Sequence, residues 1–475
     1  METVLNTPAL TRQQRPEDEH LGLPANILYG FQHVLTMYGG IIAVPLIVGQ
    51  AAGLAPAEIG ILIASCLFMG GLATLLQTLG LPFFGCQLPL VQGVSFASVA
   101  TILAILSAGA SLPSVFGAVM AAALLGFLIT PVFSRIIRFF PPLVTGSVIT
   151  TIGLSLMPVA AHWAMGGNAK APGFGGTANI GLAAATLVIV LLLSKLGNAT
   201  ISRLSILLAM VLGTMIAWGA GMTNFSRVMD GPAFAVPTLF HFGMPEFHPA
   251  AILSMFIVIL VVLVETSADI LAVGDIIKTP IDSRRLGDGL RADMVSSMVA
   301  PVFGSFTQSA FAQNVGLVAV TGVKSRYVVA TSGIILLVLG LLPVLGRVIA
   351  AVPASVLGGA GLVLFGTVAA SGIRTLARVD YENNMNLIIV ATSVGFGMIP
   401  IAAPHFYDHF PAWVATIFHS GISSAAIMAI LLNLLFNHLT TGNPDKPSVF
   451  AAGTGHDQSA TPHADPRTPA KSLAH

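Results

Sequence analysis

The sequence predicts an all-α polytopic membrane protein, and three observations support this fold class. Of its 475 residues, 55% are hydrophobic and only 8% are charged, and the mean hydropathy is +0.89. A soluble domain carries about 25% charged residues. Long apolar segments recur along the whole chain, and Lys and Arg collect in alternate loops between these segments. We therefore expect the bilayer to surround most of the chain.

Fourteen apolar segments are candidates for membrane spans, since about 20 apolar residues cross a hydrocarbon core of about 30 Å. The third and tenth are too short to cross unaided, and each follows a Gly-, Gln- and Ser-containing stretch without helical periodicity. We interpret both as broken spans. The predicted segments are 25–48, 58–80, 94–107, 112–134, 142–163, 178–197, 202–222, 248–276, 287–304, 315–323, 327–348, 355–374, 384–402 and 412–437.

The basic residues predict the orientation, because Lys and Arg accumulate in cytoplasmic loops. With both termini inside, 17 of the 20 basic residues lie on the cytoplasmic side. Only Lys170, Arg227 and Arg347 fall on the other side. We expect a multi-pass protein of the cell membrane, the inner or plasma membrane, with both termini cytoplasmic.

Several function classes are disfavoured by what the sequence lacks. A net charge of +1 argues against nucleic-acid binding. The two cysteines form no CxxC motif, and the histidines lack metal-ligand spacing. The sequence has neither a GxxxxGK[ST] nor a GxSxG motif. We therefore expect no enzyme, no metal and no bound cofactor, and transport driven by an ion gradient remains.

The two broken stretches resemble each other. Aligning 87–100 with 308–321 gives four identities in fourteen positions, two of which pair Gln87 with Gln308 and Gln92 with Gln313. Seven predicted helices intervene, so the second copy would be inverted. Inverted repeats are typical of secondary transporters, which bind substrate near the midplane. The alternative is a shared Gly-rich composition without common origin.

Three acids lie in or beside the predicted spans, where an ionisable residue is costly and therefore a candidate functional group. Glu265 and Asp269 are four residues apart in the eighth span, so they share one helix face. Two carboxylates so close are not both readily ionised, which suits one of them to bind and release a proton. Asp293 begins the ninth span. The alternatives are hydrogen bonds to neighbouring helices and, for Asp293, a pair with Arg291 or Arg285.

Two polar pairs lie in other spans. Gln32 and His33 are in the first span, where His33 is a candidate for organising the site. Gln313 and Asn314 begin the tenth span, and their carboxamides can read the donor and acceptor edge of a purine or pyrimidine dione.

Two phenylalanines flank the broken segments. Phe96 and Phe311 are candidates for enclosing a flat ring, although the chain contains 27 phenylalanines. Ser95 is the third-span position that we expect to face Asn314 across the repeat.

The string QNVGLVAVTG at 313–322 resembles the signature of the nucleobase-ascorbate transporters, a Gln or Glu followed by N-x-G-x-x-x-x-T. That family also has a Gln-His pair in the first helix, an acid pair in the eighth, and an Asp twenty residues before the signature Gln. All of these motifs occur here in order. The resemblance extends from about residue 22 to 438.

This resemblance implies a fold of two inverted repeats of seven spans each, with short β-strands in the third and tenth. A core domain would contain spans one to four and eight to eleven, and a gate domain the others. Members are typically homodimers in the lipid bilayer. The implied division is 1–23 cytoplasmic segment, 24–138 and 247–350 core, 139–246 and 351–438 gate, and 439–475 disordered cytoplasmic tail.

The resemblance also implies residue roles. Glu265 and Gln313 would hold the substrate, His33 and Asn314 would support the site, and Asp269 and Asp293 would serve coupling and core structure. Gln32 belongs to the supporting group, and Ser95, Phe96 and Phe311 to the substrate-binding group.

The substrate implied is a purine. The motif favours uric acid, because xanthine-selective members tend to have a second Asn where Val315 stands. Ser95 departs from the Thr expected of urate-type members, so urate against xanthine stays open. The implied mechanism is symport with H⁺ rather than Na⁺ by alternating access. Uracil or another nucleobase, and a sulfate-permease-like anion transporter, are the alternatives.

Overall fold

The computed structural model describes residues 15–133, 141–226, 228–229 and 231–439. The predictions for residues 1–14 and for the tail beyond 439 lie outside these ranges. So do several basic residues of the orientation argument, including Arg135, Arg138 and Arg227.

Helices account for nearly all regular structure in these ranges. Nine helices there are long and apolar enough to cross a membrane, and a tenth candidate is a helix pair bent by 78°. The helices are α1 (Leu23–Ala51), α2 (Pro56–Leu79), α3 (Val99–Ser107), α4 (Leu112–Ile129), α5 (Pro142–Ser155), α6 (Met157–Ala164), α7 (Thr177–Leu196), α8 (Ala199–Arg203), α9 (Ser205–Gly219), α10 (Pro249–Ile277), α11 (Ser283–Val299), α12 (Ala312–Thr321), α13 (Arg326–Gly340), α14 (Pro343–Ala350), α15 (Ala354–Leu376), α16 (Asn384–Ala402), α17 (Ala412–Phe418) and α18 (Gly421–Asn433). Each predicted segment corresponds to one of these helices or to two consecutive ones, which confirms the fold class.

Prolines explain two of the divided spans. The fifth span divides between α5 and α6, where Pro158 is the second residue of α6. The bent pair α13 and α14 divides just before Pro343. Proline has no amide hydrogen to donate and its ring clashes with the preceding turn, so a helix continues past it only with a kink or a break.

Two short strands confirm the predicted broken spans. Strands β1 (Gln92–Val94) and β2 (Gln308–Ala310) form an antiparallel ribbon in which Gly93 lies opposite Ser309. Both strands are fully buried. Backbone amides at membrane depth need partners within the protein, and the two antiparallel segments of the ribbon supply them to each other.

The ribbon also corrects the register of the repeat. In the first copy the strand begins at Gln92 and the following helical turn at Phe96. In the second copy the strand begins at Gln308 and the following helix at Ala312, so both starts are offset by 216 residues. Our sequence alignment, which paired Gln87 with Gln308, was therefore wrong by five residues. The position equivalent to Asn314 is Ser98.

A matching pair of hydroxyls supports this register. On α2, Thr74 Oγ1 accepts from the Gln92 amide (2.9 Å) and donates to its carbonyl (3.2 Å). On α11, Ser297 Oγ does the same for Gln308, at 2.9 and 3.3 Å. Equivalent helices therefore clamp equivalent strand residues in the two halves.

Helices from the two halves interlock through glycines. Helix α2 packs along α13, and a Cβ on Gly71 would lie 2.6 Å from the Gly333 carbonyl oxygen. Helix α5 packs along α15, where Gly153 meets the backbone of Ala369 even more closely. Small residues allow such approach between membrane helices. The division into core and gate domains stays a prediction.

Candidate functional site

The candidate site lies where α10 passes the ribbon and the helix turns that follow each strand. Helix α10 contacts β2, α12 and the 3₁₀ turn Phe96–Ser98. Glu265 and Asp269 therefore stand on the helix that touches both broken spans. Glu265 is half-buried and Asp269 is buried, with no hydrogen-bond partner for its Oδ2 within the described part of the chain.

Asp293 is held by hydroxyl and amide donors rather than by arginine. Thr266 Oγ1 donates to Asp293 Oδ2 at 2.6 Å, and Gln77 Nε2 donates to Oδ1 at 3.1 Å. The alternative of an arginine pair is wrong: Arg291 pairs with Asp288, and Arg285 pairs with Glu17. Asp293 is 1% exposed, so its carboxyl oxygens find hydrogen-bond partners in these neutral donors rather than in bulk water.

Asn314 joins the second broken span to the first helix. Its Nδ2 donates to the His33 carbonyl oxygen at 2.9 Å and lies 3.1 Å from His33 Nδ1. Both side chains are buried. Two of the three residues predicted to organise the site are therefore in direct contact, which links α12 to α1. Gln32 is half-buried, and its carbonyl accepts a hydrogen bond from Thr36 Oγ1.

Phe96 and Phe311 come together against α1. A Cβ on Gly40 would lie 2.9 Å from Phe311 Cε1 and 3.5 Å from Phe96 Cε2. Glycine is therefore needed at this position for both rings to approach. The Phe96 ring also meets the edge of Phe365 on α15, with 6.1 Å between ring centroids.

The remaining two predicted binding residues differ in their surroundings. Gln313 lies in the first turn of α12 and is exposed, so its carboxamide is accessible to a ligand. Ser95 is buried, and its hydroxyl accepts from the Ala97 amide at 3.2 Å, which caps the 3₁₀ turn. The hydroxyl hydrogen of Ser95 is still able to donate.

Sequence reasoning overlooked Gln77 and Thr266, the two partners of Asp293. Gln77 is a carboxamide inside an otherwise apolar span, the same signal that drew attention to Glu265. Thr266 gave no such signal, because a threonine in a membrane helix commonly satisfies its hydroxyl within its own helix.

No group of three or more His, Cys, Asp or Glu side chains is arranged to hold a metal ion among the residues that the structure describes. What the arrangement offers is different: half-buried and exposed hydrogen-bonding groups, two aromatic rings and buried acids at a break in two membrane spans. These features suit a membrane permease.

Comparison with known proteins identifies the family. Residues 24–406 match the family model Xan_ur_permease, described as a permease family. The chain belongs to this family, which confirms the resemblance to the nucleobase-ascorbate transporters. It is a multi-pass membrane transporter.

Individual relatives cover nearly the whole chain. It is 42% identical over 436 residues to the uric acid transporter UacT of Escherichia coli, covering 90% of each protein. It is 39% identical over 416 residues to the xanthine permease of Bacillus subtilis, covering 88% of this chain and 94% of the relative.

Two solved structures share the fold. The transmembrane domain of the cyanobacterial bicarbonate transporter BicA matches with a TM-score of 0.59 at 15% identity, covering 86% of this chain and 99% of that one. The inward-facing structure of murine Slc26a9, an anion transporter, matches with a TM-score of 0.60 at 13% identity, covering 89% and 69%. At these identities the likeness concerns the fold alone.

Proposed function

We propose that this permease imports a purine, with uric acid as the main substrate and xanthine as the second, in symport with a proton. The observation that carries the proposal is the position of Glu265 on α10, a helix that contacts both broken spans. The names of the relatives, which include uric acid and xanthine transporters, support the choice of purine.

The site suits a flat heterocycle with donors and acceptors on its edge. The Phe96 and Phe311 rings meet at Gly40 and offer apolar faces. The carboxamide of Gln313 offers two donors and one acceptor, and Glu265 adds a carboxyl group. The Glu265 carboxyl group argues against a small inorganic anion, which basic side chains would bind better.

Proton coupling follows from the charge of the substrate. Urate is a monoanion at neutral pH, so an ionised Glu265 would repel it. A protonated Glu265 replaces this repulsion with a hydrogen bond, and the substrate then favours the protonated state. Asp269 and Asp293 are proposed to take part in the same coupling.

Alternating access would move the core domain against the gate domain. Two hydroxyl pairs join them: Thr101 with Ser420 at 2.7 Å, and Ser254 with Ser423 at 3.4 Å. These contacts would break when the domains separate there. A homodimer in the cell membrane, with both termini cytoplasmic, completes the proposal.

The test is uptake of radiolabelled urate and xanthine in cells with and without a protonophore, and in sodium-free medium. We expect uptake that collapses with the proton gradient and does not need sodium. Uptake that survives the protonophore would overturn the coupling. Competition by unlabelled urate, xanthine, hypoxanthine, uracil and sulfate ranks the substrates, and inhibition by uracil or sulfate alone would overturn purine transport.

A further inference from the structure

We propose that Gln77 is a positioning residue that decides which oxygen of Asp293 takes up a proton. The inference rests on the proposed function in one respect, that Asp293 changes its protonation state during transport. Gln77 is 0% exposed and lies in the last turns of α2, opposite Asp293 on α11.

The orientation of the Gln77 carboxamide is set by two backbone groups. Its Oε1 accepts from the Cys86 amide at 3.1 Å, and its Nε2 donates to the Gly289 carbonyl at 3.2 Å. An amide N–H only donates and a carbonyl only accepts, so the carboxamide cannot be turned over without losing both bonds. Its second Nε2 hydrogen is therefore directed to Asp293 Oδ1.

The two oxygens of Asp293 consequently face different partners. Oδ1 faces Nε2 of Gln77, which cannot accept a hydrogen bond. Oδ2 faces the hydroxyl of Thr266, which can both donate and accept. A proton on Oδ1 would confront a donor, whereas a proton on Oδ2 finds an acceptor. Gln77 thus directs the proton to Oδ2.

Protonation of Asp293 at Oδ2 affects the ribbon through Thr266. The Thr266 hydroxyl oxygen also receives the Ala310 amide of β2, at 3.4 Å. When Oδ2 carries a proton, Thr266 becomes its acceptor and turns its own hydrogen elsewhere. The change therefore reaches the strand that leads into Phe311, while the bonds from Gln77 to the Cys86 segment stay in place.

The charged groups around Asp293 do not replace these neutral donors. From α10, Glu265 and Asp269 interact with it electrostatically. On its own helix Arg285, Asp288 and Arg291 are engaged in ion pairs, Arg285 with Glu17 and Arg291 with Asp288. Cys86 is the titratable group of the segment beside it. Helix α4 and strand β2 have no ionisable residue, and α2 has Glu58 at its far end and the buried thiol of Cys66 in its middle.

The experiment compares Gln77→Glu and Gln77→Leu with wild type and with Thr78→Val as the matched control. Gln77→Leu removes the donor to Asp293 without adding a charge. Gln77→Glu keeps the acceptor for Cys86 at almost unchanged volume and, when ionised, replaces the donor to Asp293 with a negative charge. Thr78 is the next buried residue of α2, and its hydroxyl donates to the carbonyl oxygens of Thr74 and Leu75 in the same helix. The purified proteins are titrated by infrared spectroscopy without substrate, and the band of the protonated Asp293 is identified by its loss in Asp293→Asn.

We expect both Gln77 variants to displace the Asp293 titration by about one to two pH units, because Gln77→Leu loses a hydrogen bond to the carboxylate and Gln77→Glu also places a second carboxyl group beside it. Their carbonyl stretch should also change, because Oδ1 can then carry the proton. Thr78→Val should match wild type. The pH profile of urate uptake should move with the titration, with KM changed less than the maximal rate.

A wild-type titration and carbonyl stretch in Gln77→Glu would overturn the inference, whether or not Gln77→Leu folds. Reduced protein abundance with an unchanged titration would likewise leave Gln77 with a purely structural role and overturn it. If the wild-type protein takes up no purine, the proposed function fails while the substrate-free titration still decides the role of Gln77.

Discussion

The two broken spans share a backbone frame and differ in chemistry. Each has a three-residue strand clamped by one hydroxyl, from Thr74 in the first half and from Ser297 in the second. The residues that follow are different: SFAS after β1 at 95–98 and FAQN after β2 at 311–314. The three carboxylic acids of the site, Glu265, Asp269 and Asp293, stand on α10 and α11, both in the second half. The repeat thus supplies the geometry twice, and the chemistry proposed for coupling comes from one copy.

The largest expected effect is that of Glu265→Gln, which keeps the size of the side chain and removes its proton exchange. We expect urate uptake to fall about 100-fold, the order of the loss when a group that must take up and release a proton is replaced. Asp275→Asn, at an exposed position near the end of the same helix, is the control and should transport normally. Uptake within twofold of wild type in Glu265→Gln would contradict the proposal that the coupling chemistry comes from the second half.

Asp293→Asn should have the next largest effect. Asparagine keeps an oxygen for one donor but cannot gain or lose a proton, so we expect uptake reduced about tenfold and much less dependent on pH. Initial uptake rates across the pH range measure both. Asp288→Asn, on the same helix, is the matched control, and an unchanged pH profile in Asp293→Asn would exclude Asp293 from coupling.

Asn314 and its repeat equivalent Ser98 offer a direct comparison. Asn314→Ala removes the bonds to His33, and we expect KM for urate to rise about fivefold, the worth of one buried hydrogen bond. Ser98 bonds only to the Ser95 carbonyl in its own turn, so Ser98→Ala should change KM by less than about twofold. Equal effects of the two substitutions would mean that both halves hold the substrate alike.

The smallest effect is expected for the two hydroxyl groups that hold the strands of the ribbon. Thr74→Val and Ser297→Ala each remove a hydroxyl clamp, and each should lower the free energy of unfolding by about 1 kcal/mol. Thermal unfolding of the purified proteins measures this loss, and uptake by the surviving protein should be almost unchanged. A loss several times larger in one half would show that the ribbon is not clamped symmetrically.

Much of the site was predictable because it depends on local rules. Helix geometry alone puts Glu265 and Asp269 on one face, and their cost in a membrane marks them as candidates. The contact between Asn314 and His33, and the approach of Phe96 to Phe311, required the fold. The correct register of the repeat also required the fold. The two copies match mainly in backbone geometry, and the sequence alignment instead followed four chance identities at the wrong offset.

The sequence by itself determined the fold class, the fourteen apolar segments, the two broken spans and the candidate acids. These acids stand out because an ionisable side chain in a membrane span costs free energy. Each of these follows from hydropathy and spacing, which act over one or two helix turns. Only the tertiary structure decided what holds Asp293. An arginine two residues away was a natural partner by sequence, but Asp288 binds that arginine. Gln77, 216 residues away along the chain, and Thr266 reach the carboxylate instead, because hydrogen bonds across packed helices depend on direction as well as proximity.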